Sequence, residues 1–324
     1  MMEKKDLISL IVPCYNETES LPYFYKTVVL LAKKMPECDF EFLFVNDGST
    51  DETLKMLRLL AQRDKRVRYI SFSRNFGKEG AMLAGLQHAK GDYVTIMDAD
   101  LQDPPELLPK MYELIKTGDY DSVATRRKNR KGEPHVEPFF ANCFYALVNH
   151  IAETEFVPSA RDYRLMTRKM LNEVLRLQEK NRFTKGLFNW VGFRTKWLLY
   201  DNTERIAGQT KWSFWKLFRY AIEAIVAFSV LPLYLPFLFA CLLGIISLIG
   251  LIAGAIAASQ TSIIVFSIGL MITFLFIGQG VQGLYTAKSY KEIKDRPLYI
   301  IAETEEDTLL TPDAHLEEEE PFSF

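Results

Sequence analysis

Between Ala224 and Ala287 the chain has no Asp, Glu, Lys or Arg, a run of 64 residues. That absence excludes an ordinary solvated surface, because even half-buried helices carry charge on their outer face. A membrane-spanning helix needs about 20 apolar residues, so the run has room for two. Spans are expected at Leu233–Ala258 and Ile263–Tyr285, with Ser259-Gln260-Thr261-Ser262 as the turn. The competing reading is a buried helical hairpin. A third span starting near Ala224 is interrupted by Pro232 and Pro236.

Other scarcities narrow the function. The four cysteines (Cys14, Cys38, Cys143, Cys241) form no C-x-x-C pair and fit reduced cytosolic thiols. Four scattered histidines give no zinc pattern. A formal net charge of -2 argues against nucleic acid as the main partner. Met1 to Asp6 runs straight into the apolar Leu7 to Val12, so no secretory leader is expected. Gly77-Lys78 does not complete G-x-x-x-x-G-K-[ST], so no Walker-type phosphate loop is expected.

Charge returns at both ends of the apolar run. Lys211, Lys216 and Arg219 precede it, Lys288, Lys291, Lys294 and Arg296 follow it, and the turn carries none. Basic flanks stay on the cytoplasmic side, which puts both ends of a two-span hairpin in the cytoplasm. From Trp212 to Val230, the residues Trp212, Trp215, Phe218, Ile222 and Ile225 recur at helical spacing with cations elsewhere on the wheel. This pattern suits an interfacial amphipathic helix, and also a helix packed on the soluble domain. The expected organisation is a catalytic domain at 1–210, an interfacial helix at 211–230, a transmembrane hairpin at 231–287, and a basic segment with an acidic tail at 288–324. The tail from Glu303, with Glu317-Glu318-Glu319-Glu320, is expected to be solvated and disordered.

Upstream, apolar runs at Leu7–Val12, Phe40–Val45, Val67–Phe72, Tyr93–Met97 and Ser122–Ala124 alternate with helical segments at Ser20–Lys34, Asp51–Arg63 and Lys78–Ala89. Such alternation predicts an α/β fold, a mostly parallel Rossmann-like sheet with ligands at the carboxyl ends of its strands. Those ends carry polar motifs: Pro13-Cys14-Tyr15-Asn16-Glu17, Asn46-Asp47-Gly48-Ser49, Arg74-Asn75-Phe76-Gly77-Lys78 and Asp98-Ala99-Asp100-Leu101-Gln102. Each alone reads as a turn or a helix entry. In the last, Asp98 and Asp100 fall on one face of an extended segment, with Gln102 two further on. Two carboxylates and an amide oxygen suit a hard cation such as Mg2+ or Mn2+, which in turn suits a diphosphate. Asp103 is expected to cap the helix opened by Pro104-Pro105-Glu106.

These motifs together resemble those of the family 2 glycosyltransferases with the GT-A fold. More narrowly, they are similar to the polyprenyl-phosphate glycosyltransferases, the dolichol-phosphate mannose synthases and the bactoprenol glucosyltransferases. Ala124-Thr125-Arg126-Arg127, Arg161-Asp162-Tyr163-Arg164-Leu165-Met166, Arg182-Phe183-Thr184-Lys185-Gly186 and Gly208-Gln209-Thr210-Lys211-Trp212 agree, so the likeness covers about residues 7 to 296. The Q-x-x-R-W of processive synthases is absent, which counts against a polymerising enzyme.

The resemblance implies that Pro13, Tyr15 and Glu17 frame the donor's base and ribose, that Asp47 accepts from the base, and that Lys78 and Asp98 lie at the nucleotide. It implies metal ligation by Asp98, Asp100 and Gln102. A lipid monophosphate acceptor is already largely a dianion at neutral pH and needs cations and alignment more than a base. Arg126, Arg127, Arg161, Arg164 and Lys211 are the candidate clamp, and Lys128–His135 reads as a loop that closes over the site. Asp100, Asp162, Arg126 and Arg127 are the candidate catalytic residues; Asp162 could orient an arginine, contact the sugar or act as a base. The expected partners are a nucleotide sugar (UDP-glucose favoured), a polyprenyl phosphate, the membrane and a second copy of the chain, two bare spans being compatible with self-association. Inversion to a β-linked product is implied by the family. Two alternatives stand beside this reading: transfer to a hydroxyl of a polymer or lipid-linked oligosaccharide, and a non-catalytic scaffold that binds nucleotide sugar.

Overall fold

The computed structural model describes residues 4–127, 157, 160–180, 182–200, 242, 245 and 260–310. All five expected strands form: β1 (Asp6–Cys14), β2 (Cys38–Asn46), β3 (Val67–Phe72), β4 (Tyr93–Ile96) and β5 (Ser122–Arg127). Between them lie α1 (Leu21–Lys33), α2 (Thr53–Arg63) and α3 (Lys78–His88); a single 3-10 turn at Pro105–Leu107 leads into α4 (Leu108–Lys116). Ile8 and Leu10 to Val12 of β1 are wholly buried, as expected of a parallel strand covered on both faces.

Among the described residues the sheet has eight strands, these five with β6 (Ala160–Thr167), β7 (Thr195–Tyr200) and β8 (Ile301–Thr304), in the order β7-β5-β6-β4-β1-β2-β3-β8. β1 pairs parallel with β2, from Asp6↔Cys38 to Cys14↔Asn46, and with β4, from Ile8↔Tyr93 to Ile11↔Ile96. Of the three further strands, β6 runs antiparallel to β4 and β5, β7 runs parallel to β5, and β8 runs antiparallel to β3. The mostly parallel α/β expectation therefore holds, with two antiparallel insertions.

One apolar core lies under α1, α2 and α4; the other lies under α3, α5 (Arg168–Arg176) and α6 (Thr184–Trp190). On the second face α3 sits close to β1: a Cβ at Gly85 would stand 2.2 Å from Ile11 Cγ2. Gly85→Ala is therefore expected to cost about 1–3 kcal/mol by overpacking. The measurement is the urea midpoint of the detergent-solubilised protein, and an unchanged midpoint would show that the strand yields.

The expectation of a solvated tail from Glu303 is corrected for its first residues. β8 and the short helix that follows it dock on the sheet edge. Glu303 accepts from Arg58 Nε at 2.8 Å and Nη2 at 2.5 Å and from the Tyr69 hydroxyl, and Glu305 accepts from Arg68 Nε at 2.5 Å. Tyr299 stacks on Phe72 with ring centroids 5.0 Å apart. The acidic residues are ordered because arginines on α2 and β3 offer paired donors, something local composition cannot show. Residues 311–324, with the four consecutive glutamates, lie outside the described residues.

A helix over Gln260–Ile293, α7, covers the residues of the second expected span. The first span lies outside the described residues apart from Leu242 and Ile245, and the expected interfacial helix lies wholly outside them. Among the described residues no helix is long and apolar enough to cross a membrane. The last described helix, α8, spans Glu305–Leu310.

Candidate active site

The carboxyl ends of β1, β2 and β4 meet along one edge, and short polar residues tie the loops there together. Asn16, in the left-handed region at φ 56°, accepts from Thr50 N at 2.8 Å, while Asn16 N donates to Ser49 Oγ at 3.0 Å. Glu17 N donates to Thr53 Oγ1 at 2.9 Å, and the Glu17 carboxylate accepts from the Ser20 hydroxyl. Tyr15 is exposed and Pro13 half-buried beside this frame. Gly48 has φ +62°, and a Cβ there would stand 2.3 Å from the Arg74 carbonyl carbon. Only glycine lets the second loop pass so close to the third.

Asp47 sits at that crossing, buried. Its carboxylate accepts from Phe76 N at 2.6 Å and Gly77 N at 2.9 Å. Burial raises its pKa, partly offset by those two N–H groups. Asp47 thus holds the loop that launches α3, and the base contact expected of it would have to share the same oxygens.

Lys78 opens α3 and reaches across the edge. Its ammonium lies 2.7 Å from Asp98 Oδ1 and donates to Asp162 Oδ2 at 2.9 Å. Desolvation works against that charge, but Asp162 and Asp98 outweigh it and hold the ammonium well above the ordinary lysine range. Lys185 of α6 approaches the other oxygen of Asp162, at 3.8 Å. That oxygen, Oδ1, is buried with no hydrogen-bond partner among the described residues. Burial pushes the Asp162 carboxyl up, yet Lys78, then Lys185, then Arg161 hold it well below the usual carboxylate range.

Beside this cluster Arg161 Nε donates to Asp103 Oδ1 at 2.8 Å, and Arg161 Nη2 lies 4.0 Å from Asp98. Asp103, expected as a helix cap, does not cap: Pro104 precedes the 3-10 turn, and the buried Asp103 carboxylate accepts from Arg161 and the Tyr200 hydroxyl instead. Burial, followed by the charge of Asp103, pushes the Tyr200 phenol up to about 12. Arg127 donates to Gln102 Oε1 and to Tyr200 Oη, both at 3.3 Å, and Asp100 Oδ1 accepts from Gln102 N at 3.1 Å.

The structure thus gathers Lys78, Asp98, Asp162 and Arg161 into one charged cluster, with Gln102 and Arg127 joined beside it. It separates others. Arg127 joins the cluster through Gln102 and Tyr200, whereas Arg126 sits beside a register shift in the β5–β6 ladder and makes no hydrogen bond to these residues. Arg164, expected at the acceptor phosphate, is 1% exposed; its guanidinium lies 4.1 Å over the Phe188 ring, with Nε and Nη1 unpartnered among the described residues. Burial pushes its pKa down to about 10. That placement removes Arg164 from the surface clamp: it shares a strand face with Asp162 but lies farther along β6, covered by Phe188 of α6. Lys211 and the Lys128–His135 loop lie outside the described residues. Sequence reasoning assigned nothing to Lys185, Glu79 or Tyr200. Lys185 stood in a quoted motif, but no spacing brings residue 185 to residue 162.

Asp98, Asp100 and Gln102 supply the oxygen donors that a hard divalent cation prefers. The half-buried Asp98 already faces a cation, Lys78, so its surroundings suit positive charge. The residues fit such an ion in donor chemistry. Among the described residues no group of three His, Cys, Asp or Glu side chains forms a metal cluster.

A model of glycosyl transferase family 2 matches residues 9–175. The putative glycosyltransferase CsbB of Bacillus subtilis is 40% identical over 307 residues, covering 93% of this chain and 92% of its own. A prophage bactoprenol glucosyl transferase homolog of Escherichia coli is 38% identical over 304 residues, covering 91% and 98%. A solved mannosyltransferase of Pyrobaculum calidifontis, in complex with GDP-Man and Mn2+, is 18% identical with a TM-score of 0.46, covering 89% of this chain and 85% of that one. With more than half its length matched by the family model, and with relatives alike from end to end, the chain belongs to glycosyl transferase family 2 and is a sugar-transferring enzyme.

Proposed function

We propose that the chain is a membrane-bound glycosyltransferase that moves a hexose from a nucleotide sugar, UDP-glucose in the favoured form, to a polyprenyl phosphate with inversion. The observation that carries this reading is the state of Asp162. An acceptor hydroxyl must lose a proton, and an effective base has a pKa near the working pH. Asp162, bracketed by Lys78 and Lys185, is held far below that. A phosphate monoester arrives already deprotonated and needs only positive charge and alignment. The names of relatives such as the bactoprenol glucosyl transferase of Shigella phage SfII, 38% identical over 304 residues, support the same acceptor class.

In this reading Pro13, Tyr15 and Glu17 frame the nucleoside, with Asp47 behind them. Arg161 and Arg127 face the phosphates from the Asp103–Tyr200 side. Asp98, Asp100 and Gln102 would hold Mg2+ or Mn2+; when bound, the ion neutralises charge on the departing nucleoside diphosphate. Asp162 sets the position of Lys78 and balances the cations around the reacting centre. The uncharged run of residues 224–287 would anchor the domain at the cytoplasmic face of the membrane, where the lipid acceptor lies.

The test is transfer itself. Purified protein in detergent, given UDP-glucose, Mg2+ and undecaprenyl phosphate, should yield a negatively charged glycolipid by mass spectrometry. Parallel incubations with UDP-N-acetylglucosamine, UDP-galactose and GDP-mannose identify the sugar. Transfer to none of these sinks the reading, and transfer to a neutral lipid alcohol but not to the phosphate turns it toward a hydroxyl acceptor.

A further inference from the structure

Lys185 and Glu79 belong to the Arg182–Gly186 motif and to α3; the function proposed so far uses Lys185 only as a charge beside Asp162 and gives Glu79 no part. Glu79 follows Lys78 directly, so the residue that reaches Asp162 and its neighbour leave the same helical turn. Glu79 Oε2 accepts from Thr184 N at 2.9 Å and from Thr184 Oγ1 at 2.5 Å. Thr184 is wholly buried and begins α6, and the next residue is Lys185. One carboxylate therefore joins the start of α3 to the start of α6, and each helix sends a lysine to the same aspartate. Lys78 is committed to Asp98 and Asp162 by hydrogen bonds. Lys185 is not: among the described residues it makes only the 3.8 Å approach to Asp162 Oδ1, and its side chain is 32% exposed. An ammonium has three donors. Among the described residues those of Lys185 make no hydrogen bond, and the side chain is part open to solvent.

We propose that Lys185 is a phosphate-binding residue of the transfer site and that Glu79, acting through Thr184, is the positioning residue that fixes it there. This rests on the reading of the site as one where two phosphorylated substrates meet. Its ligand is a phosphate, carried either by the nucleoside diphosphate of the donor or by the lipid monophosphate of the acceptor. Arg164 is buried against Phe188, whereas Lys185 brings a partly exposed cation within 3.8 Å of Asp162 Oδ1.

The experiment titrates full-length protein in nanodiscs with UDP in one arm and undecaprenyl phosphate in the other. Lys185→Ala should weaken one of the two about 10- to 100-fold, the size of one lost charge-assisted hydrogen bond, and leave the other unchanged; the arm that moves names the source of the phosphate. Glu79→Ala should weaken the same arm, and Glu79→Ala/Lys185→Ala should be no worse than Lys185→Ala, because the first acts through the second. Glu79→Gln, which keeps an oxygen for Thr184, should retain most of the affinity. If Glu79→Ala does not fold, Thr184→Ala cuts the same link from the other side. Unchanged affinities in both arms for Lys185→Ala overturn the assignment of Lys185, and full additivity in the double variant overturns that of Glu79. Failure of the wild type to make glycolipid is a separate result: it removes the proposed reaction while these titrations still decide the clamp.

Discussion

Asp162→Asn is expected to lower kcat by about 10²–10³-fold, the range seen when one preorganised charge is removed from a reacting centre. Asparagine keeps the shape and one acceptor oxygen but not the charge, so Lys78 and Lys185 lose the anion they share. The loss of stability should be smaller than the loss of rate. Lys78 keeps Asp98, and its side chain is 44% exposed, so water and a second carboxylate take up much of the difference. The pH dependence has a definite sign. A carboxyl whose folded pKa is depressed contributes stability above its ordinary value of 3.8 and loses it as pH falls through the folded value. Wild type and Asp162→Asn should therefore differ in thermal midpoint at neutral pH, begin to approach each other only as pH falls below about 4, and meet only below the depressed folded value. Over the neutral range no acid limb in kcat should trace to Asp162. A variant with kcat within a few-fold of wild type would remove Asp162 from the electrostatics of the reacting centre.

Asp100→Ala is expected to abolish metal-dependent transfer while leaving membrane insertion unchanged. Asp100 lies on the turn after β4, with Leu101 in the left-handed region at φ 54°, and its Oδ1 accepts from Gln102 N. Removing it takes away one of two carboxylates available to a divalent ion and loosens the turn that aims Gln102. Chelation of the wild type by EDTA should reproduce the defect, with recovery on adding Mg2+ or Mn2+; the variant should not recover. The expected loss is about 10²–10³-fold in kcat, comparable to other losses of charge stabilisation on a leaving group. Titration of Mn2+ with UDP present gives a second readout, in which Asp100→Ala should lose the ion. Activity that survives EDTA, or an alanine variant that binds Mn2+ as wild type does, would contradict the ligand assignment.

The parallel strands were legible because each is a short apolar run bounded by turn residues, and burial on both faces leaves that signature in the residues themselves. β7 was not. Thr195-Lys196-Trp197-Leu198-Leu199-Tyr200 sits at a sheet edge, half-exposed, where nothing forces an apolar pattern. β8 stayed hidden for another reason: its Glu303 is neutralised by Arg58, and Glu305 just after it by Arg68, both more than two hundred residues earlier in the chain.

The amino-acid order alone determined the α/β class, the family, the polar motifs at the strand ends and the uncharged run of residues 224–287, because each is a local pattern of residue types. Tertiary structure alone decided which charges meet. Arg161 and Arg164 are three residues apart, yet one grips Asp103 beside the site and the other lies sealed against Phe188. Lys78 and Lys185, far apart in the chain, close on the same carboxylate. Coulombic partners are set by distance through space, and only the packed sheet and helices fix that distance.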